Sequence, residues 1–414
     1  MNAEILCVGT ELLLGDIVNT NAAHIAKGLA ECGVGCYYQT VVGDNPDRLK
    51  HCLEQAMARA DMVIMTGGLG PTFDDLTKET VADYFGLEMQ MHEPSLQRLR
   101  AFFERLGRDM TPNNEKQAMM PKGAVVFENA QGTAPGLAVE GNGKTAILMP
   151  GPPREMTMMF DSQVKPYLLG RSDKTLVSHN INLFGVGESN VEYELREYME
   201  SCSNPTIAPY AKEGEMLLRV TASAATAKEA DTLTHPVIED IRQRYEKNIY
   251  GIDAGTLENA LVSLLAEKGL TIAVAESCTG GLVAKRITDI PGASRVFQCG
   301  VCTYSNEMKT RLIGVSPDTL EAHGAVSAET AAEMARGVRT LAGADIGLAI
   351  TGVAGPDGGT DEKPVGLTFI GVSTASGETV KERQLSRGYG SERAFIRNIA
   401  ASNALWQALK AARK

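Results

Sequence analysis

Short apolar runs alternate along this chain with longer amphipathic stretches, and the alternation predicts its elements. Residues 3–8 (AEILCV) read as a buried strand; a loop at 9–16 follows, and Asn19 caps a helix running to about residue 32. A second strand at 34–42 ends in Gly43-Asp44, residues 47–59 are amphipathic and helical, and a third buried strand at 61–65 (DMVIM) runs straight into TGGLGPTFDDLT at 66–77. This βαβαβ order predicts a mostly parallel sheet with helices on both faces. Ligands in such folds sit beyond the carboxyl ends of the strands, where all three candidate loops fall. A further strand at 145–149 leads into MPGPPREM, where two prolines fix a turn.

The pattern changes near residue 175. A strand at 174–184, a helix at 187–199, paired strands at 205–211 and 215–223 and a long helix at 227–246 form a small α+β unit. After a linker at 250–255 comes a helix at 257–267, an apolar run at 271–275, a turn of small residues at 276–281 and a helix from 282. An Ala-rich helix at 327–341, a buried strand at 346–350 entering Thr351-Gly352, a hairpin at 366–372 and 378–385, and a closing helix at 391–412 complete the chain. The division expected is 1–172, 173–250 and 256–414, within the two to four domains that 414 residues imply at roughly 150 each.

Composition narrows the class. Apolar content of 43% is ample for packed cores. A net charge of −11 argues against a sequence-independent nucleic-acid binder, and no run approaches the length of a membrane span. Eight scattered cysteines and the absence of a signal-like start predict a reduced, cytoplasmic protein with free thiols. Cys299 and Cys302 form a lone C-x-x-C with no partner pair, and no histidine pattern suits a metal.

The turn at 276–281 carries the strongest candidate chemistry. It holds two possible nucleophiles, Ser277 and Cys278, between a strand and a helix. The first helical turn leaves amides free to hold an anion, and those near Thr279, Gly280 and Gly281 are candidates for stabilising an oxyanion. A second cluster, Tyr304 to Lys309 (YSNEMK), offers a lysine that burial could convert to a base and a tyrosine that could relay a proton. The alternative is a capping serine, a core tyrosine and a surface lysine. Thr351 and Gly352, at the end of a buried strand, join the substrate-binding candidates. Arg393 and Arg397, one helical turn apart, either bind a phosphate or lie on a solvated face with Glu392.

In the first domain, Gly67, Gly68 and Gly70 would let backbone amides approach phosphates, and Asp74 and Asp75 could hold a divalent cation bridging them. The loop is equally readable as a plain turn and helix cap. It is neither a Walker loop nor a dinucleotide fingerprint. Arg154 is a further phosphate candidate or a surface residue on a rigid connector.

AESCTGGL, YSNEMK, LAITGVAGPDGGT at 348–360 and KPVGLTFIGV at 363–372 resemble the C-terminal domain of the CinA family. That resemblance implies a nicotinamide mononucleotide deamidase without a cofactor, Ser277 being the nucleophile, Lys309 the base and Tyr304 assisting. GTELLLGDIVNTN, TGGLGPTFDDLT, QGTAPGL and NGKTAILMPGPPREM resemble the family's N-terminal domain. That implies a MoaB/MogA-like three-layer domain, similar to molybdopterin-binding proteins, with metal-dependent ADP-ribose pyrophosphatase activity using magnesium, manganese or cobalt. The family's acidic metal positions map onto Asp44 and Asp75. Asp74 stands where the molybdopterin relatives carry arginine, which favours a site of more metal character. The middle unit resembles the family's KH-like domain but has no G-x-x-G loop between 175 and 249, so it reads as a structural or dimer-building module. The expectation is a bifunctional, homodimeric α/β enzyme of pyridine nucleotide salvage. Its rival is a protein acting in competence through a partner, with an N-terminal module that merely binds a nucleotide or pterin.

Overall fold

The computed structural model describes residues 1–171, 175–388 and 392–414. The expected junction at 172/173, the first residue of the strand at 174–184 and the start of the closing helix at 391 lie outside them. The chain separates into two compact units, one formed by 1–177 with 223–232 and the other by 178–222 with 233–414.

The first unit contains β1 (Asn2–Val8), β2 (Gly35–Val42), β3 (Met62–Thr66), β4 (Met89–Met91), β5 (Met119–Pro121), β6 (Val125–Phe127), β7 (Gly136–Gly141) and β8 (Lys144–Met149). Six of them form one sheet in the order β2-β1-β3-β8-β7-β6. The four from β2 to β8 run parallel, and β7 and β6 add on antiparallel. Successive side chains of a strand point to opposite faces, so one strand feeds two cores. In β3, Met62 and Ile64 pack with Ile25, Leu29 and Phe160 on one face, while Val63 and Met65 pack with Leu53, Met57 and Val81 on the other. This is why DMVIM is apolar throughout: both faces are covered. The segment between β4 and β5 is a helix, Glu93–Arg105, and a 3₁₀ stretch, Pro112–Ala118, neither anticipated from the pattern.

In the second unit, a sheet in the order β10-β11-β9-β12 comprises β9 (Thr175–Phe184), β10 (Thr206–Lys212), β11 (Glu215–Ala224) and β12 (Ile249–Ile252). A second sheet has the order β14-β13-β15-β16-β17. Its strands are β13 (Ile272–Glu276), β14 (Phe297–Cys302), β15 (Ile346–Gly352), β16 (Leu367–Thr374) and β17 (Gly377–Gln384). The first three are parallel, and the last two extend the sheet as an antiparallel hairpin.

The two faces of this second sheet are closed differently. On one lies the helix Arg393–Arg413, buried almost all round from Ile396 to Ala412. Trp406 on this helix stacks near Phe184 at 5.7 Å between ring centroids, so the two sheets share a core. On the other face, the helix Ala328–Ala342 is pressed against β15 and β16 at glycines. A Cβ on Gly347 would overlap the Ala335 carbonyl oxygen, and one on Gly371 would overlap that of Ala331. Neither position has unusual backbone dihedrals; what requires glycine is the helix backbone lying directly above.

Replacing Gly371 by alanine forces that helix off the sheet. The expected cost is about 2–3 kcal/mol, the range of overpacked cores, read as a lower denaturation midpoint with an unchanged denaturant slope. Equal stability of the two proteins would contradict the close approach.

Candidate active site

β13 is entirely buried, including its last residue, Glu276, whose side chain is 1% exposed. A buried carboxylate needs donors. Glu276 finds three in the backbone of the turn that follows. Its Oε2 accepts from the amides of Gly281 (3.0 Å) and Val283 (3.1 Å), and its Oε1 from that of Ala284 (2.8 Å). Gly280 and Gly281 sit at φ of +60° and +91°, a region closed to most side chains, which lets the chain curl back over this carboxylate. The expectation that the first helical turn lies open to a substrate anion is therefore corrected: Glu276 already fills that place. The sequence signal was present, a single acidic residue ending an otherwise apolar strand.

Ser277 is half-buried, and its amide donates to the Ile350 carbonyl of the neighbouring β15 (3.0 Å). The helix Asn306–Ile313 begins with Ser305 as its side-chain cap and carries Lys309, 32 positions after Ser277, inward. Lys309 is only 1% exposed. Its Nζ lies 3.2 Å from Ser277 Oγ, 2.9 Å from the Thr303 carbonyl and 3.1 Å from that of Tyr304. Burial holds the Lys309 pKa below the ordinary lysine value. The serine is thus no helix cap and the lysine no surface residue. Cys278, the rival nucleophile, is 6% exposed, and burial pushes its pKa up to about 11.

Tyr304 enters this arrangement through its carbonyl. Its side chain is exposed, and its hydroxyl accepts from Arg393 Nη2 at 3.3 Å. Arg393 also donates from Nη1 to the Gly355 carbonyl at 2.7 Å. Arg397 is half-buried; it donates to the carbonyls of Cys278 (Nε, 3.1 Å) and Thr279 (Nη2, 2.6 Å). A solvated face alongside Glu392 does not describe Arg397. The Glu392 carboxylate itself accepts from the Ser386 hydroxyl and the Arg387 amide. Thr351 is fully buried with its hydroxyl given to the Ala325 carbonyl (2.6 Å), and Gly352 is pressed against Leu367 and Thr368 of β16. Neither presents a free group. Ser277, Lys309, Thr279, Tyr304, Arg393 and Arg397 are the candidates joined through one hydrogen-bonded neighbourhood.

The first unit holds a separate cleft of about 400 Å³ at the carboxyl ends of β1, β2, β3 and β8. Gly67, Gly68 and Gly70 line it, as do Glu11, Asp44, Asp74, Asp75 and Glu155. Gly67 (φ +103°) and Gly68 (φ +68°) shape the turn, and the Thr77 hydroxyl donates to the Gly67 carbonyl at 3.0 Å. Asp44 Oδ2 accepts from the amide and hydroxyl of Thr10 at 2.9 and 2.8 Å. Asp75 Oδ2 accepts from the Thr72 amide (2.9 Å) and its hydroxyl. The Thr72 hydroxyl also holds the Asp74 carboxyl below its ordinary range. Lys116 donates to the Thr72 and Asp75 carbonyls, and the buried Lys78, its pKa pushed down to about 8 by burial, donates to those of Lys116 and Gln117. Arg154 is exposed and outside the cleft lining.

Among the described residues, no three acidic, histidine or cysteine side chains gather as a metal site. The cleft's donor set nevertheless fits a magnesium-like ion, which is commonly held by one or two carboxylates and completed by substrate phosphates and water. No helix among the described residues is long and apolar enough to cross a membrane.

Three family models match the chain: a probable molybdopterin binding domain over residues 4–170, a damage-inducible protein CinA KH domain over 178–251 and a CinA C-terminal domain over 254–412. A putative competence-damage inducible protein of Acetivibrio thermocellus is 50% identical over 404 residues, 98% of this chain and 97% of its own. A CinA-like protein of Kosmotoga olearia is 50% identical over 405 residues, with the same coverage. Among solved structures, a CinA protein of unknown function from Thermoplasma acidophilum is 37% identical, covers 40% of this chain and 96% of its own, and superposes with a TM-score of 0.37. With half of all positions identical along essentially its whole length, the chain belongs to the CinA family.

Proposed function

We propose that the C-terminal domain is a Ser–Lys amidase that converts nicotinamide mononucleotide to nicotinate mononucleotide and ammonia. The observation that carries this reading is the 3.2 Å approach of a buried lysine amine to Ser277 Oγ, with two backbone carbonyls as the amine's other partners. A neutral amine has two N–H donors and one lone pair. The carbonyls of Thr303 and Tyr304 take the two donors, so the lone pair faces the serine hydroxyl. As Oγ attacks the carboxamide carbon, its proton passes to Lys309 Nζ. The tetrahedral intermediate collapses, the C–N bond breaks, and Lys309 returns the proton to the departing nitrogen as ammonia. Water then attacks the acyl-serine ester, giving its proton to Lys309, and Ser277 regains one as the acid leaves. Arg393, exposed and bound among the described residues to a carbonyl and the Tyr304 hydroxyl, would offer its remaining donors to the substrate phosphate.

For the N-terminal cleft we propose hydrolysis of the ADP-ribose pyrophosphate. Asp44 and Asp75 would hold a divalent ion, and the amides of the 67–70 loop would face the phosphates; the ion supplies charge neutralisation when bound. A second reading, a module that only binds a nucleotide or pterin, draws on the absence of a three-ligand metal group among the described residues. Both readings have a cytoplasmic homodimer acting on small nucleotides rather than nucleic acid, in keeping with the net charge of −11.

Ser277→Ala is expected to lose at least about 10³-fold in ammonia release. Cys278→Ala should stay active, because a thiol with a pKa of about 11 is scarcely ionised at neutral pH. The reverse outcome would move the nucleophile to Cys278.

Lys309→Met should cost nearly as much as Ser277→Ala, and the double variant little more, as for residues acting as one unit. Only the neutral amine accepts a proton. The wild-type rate should therefore rise with pH and level off below the ordinary lysine value of about 10.4. A rate still climbing at that pH, or additive losses, would remove Lys309 from the base role.

Asp75→Asn should abolish metal-dependent ADP-ribose cleavage while leaving ammonia release intact. Wild-type protein that left ADP-ribose untouched with magnesium, manganese and cobalt would make the N-terminal domain a binding module.

A further inference from the structure

Arg397 differs from its neighbour on the same helix. Arg393 is exposed; Arg397 is half-buried and turned onto the nucleophile loop. Its guanidinium holds two successive carbonyls, those of Cys278 (3.1 Å) and Thr279 (2.6 Å). The amides of the same loop go elsewhere. Gly280 donates to the Ser277 carbonyl, Leu282 to that of Thr279, and Gly281, Val283 and Ala284 to Glu276. The loop is therefore clamped from two sides, its carbonyls on a cation and its amides on an anion.

Among the described residues, the amides of Thr279 and of Cys278 before it are outside those commitments. A trans peptide directs its N–H opposite to its C=O. The peptide joining Cys278 to Thr279 has its carbonyl on Arg397, so the Thr279 N–H points away from the guanidinium. The Thr279 hydroxyl, fully buried, is without a hydrogen-bond partner among the described residues. One residue thus keeps two uncommitted donors two positions after the nucleophile.

We propose that Arg397 is a positioning residue and not a ligand of the substrate phosphate. By fixing the Cys278–Thr279 peptide, it presents the Thr279 N–H to the oxyanion that forms when Ser277 attacks an acyl carbon. This rests on the reading of Ser277 as an acyl-transfer nucleophile. Removing one such donor typically lowers kcat about 10²–10³-fold.

The test uses full-length protein, wild type and Arg397→Met, with nicotinamide mononucleotide and with the same nucleoside lacking its phosphate. Positioning predicts a kcat about 10²-fold lower on both substrates, with KM for the nucleotide changed less than about threefold and the preference for nucleotide over nucleoside preserved. A phosphate ligand would instead raise KM for the nucleotide and erase that preference, and this result would overturn the proposal.

A second readout needs no natural substrate. A fluorophosphonate probe forms an Oγ–P bond at Ser277 as fluoride leaves, and its phosphoryl oxygen occupies the oxyanion position. Labelling of Arg397→Met should slow by a factor similar to the loss in kcat; undiminished labelling would refute the role. Arg397→Lys, which reaches one carbonyl at a time, should fall between the two proteins. It replaces the methionine variant if that one fails to fold. Wild-type protein that labels at Ser277 yet releases no ammonia from the nucleotide would reject the substrate assignment, while the labelling rates still judge Arg397.

Discussion

A lysine amine enclosed by protein, with no carboxylate paired to it among the described residues, is the constraint on which the C-terminal half depends. Lysines are almost never fully buried unless paired, because an uncompensated ammonium costs several kcal/mol to desolvate. Lys309 meets two carbonyls and a hydroxyl instead. Carbonyl dipoles can satisfy the amine's donors, but they do not offset the loss of water around a full charge as a carboxylate would. Burial therefore lowers the pKa of the amine from the ordinary lysine value, and the proposed mechanism draws on its neutral form. The surrounding chain serves that arrangement. β14 has to stop just before Thr303 so that two carbonyls turn inward, and the Ser305 cap starts the helix that delivers the amine. The Thr303 amide ties the segment back to the Glu276 carbonyl at 2.9 Å, at the root of the nucleophile loop.

The N-terminal cleft works by the opposite electrostatics. Five carboxylates line one opening, and their mutual repulsion is moderated by short polar neighbours, the hydroxyls and amides of Thr10 and Thr72. Lys78 and Lys116 donate their hydrogen bonds to backbone carbonyls rather than to the cleft's acids, bracing the loop, while their charge still acts on Asp74 and Asp75 through space. The first site is lined by acids, whereas the C-terminal site carries its cations on the arginines Arg393 and Arg397 and keeps its lysine away from any acidic partner among the described residues.

Much of the fold was legible because burial leaves a plain record in residue type. Runs such as DMVIM and TIAVA read as buried strands from their length and continuous apolar character, and the glycines after β3 and β13 marked the turns that follow them. The pairing of Ser277 with Lys309 came from motif resemblance, since no spacing rule brings residues on separate elements together. What was missed depends on direction. The lone acid ending an apolar strand hinted that Glu276 needs donors, but not that it would turn forward onto its own turn and occupy the amides expected to be free. The outward course of the Tyr304 side chain was equally hidden, because an aromatic between a strand and a helix suits either course. Arg393 and Arg397, one turn apart, read alike, yet a small difference in azimuth sends one to solvent and the other onto the loop carbonyls. The helix Glu93–Arg105 was missed although Leu96, Leu99 and Phe103 recur at helical spacing on one face.

The C-terminal sheet ends at β17, with sequence GETVKERQ. Among the described residues, no further strand lies beside its outer backbone edge. An unpaired edge is a template on which another chain can add, and long apolar edges invite aggregation. Here Glu378, Lys381, Glu382 and Arg383 crowd the last strand, with most of its positions exposed. A foreign strand docking there would have to strip water from charges of both signs without acquiring an apolar face in return. The hairpin that extends the sheet past β15 thereby gives this end of the sheet an edge strand poorly suited to β-addition.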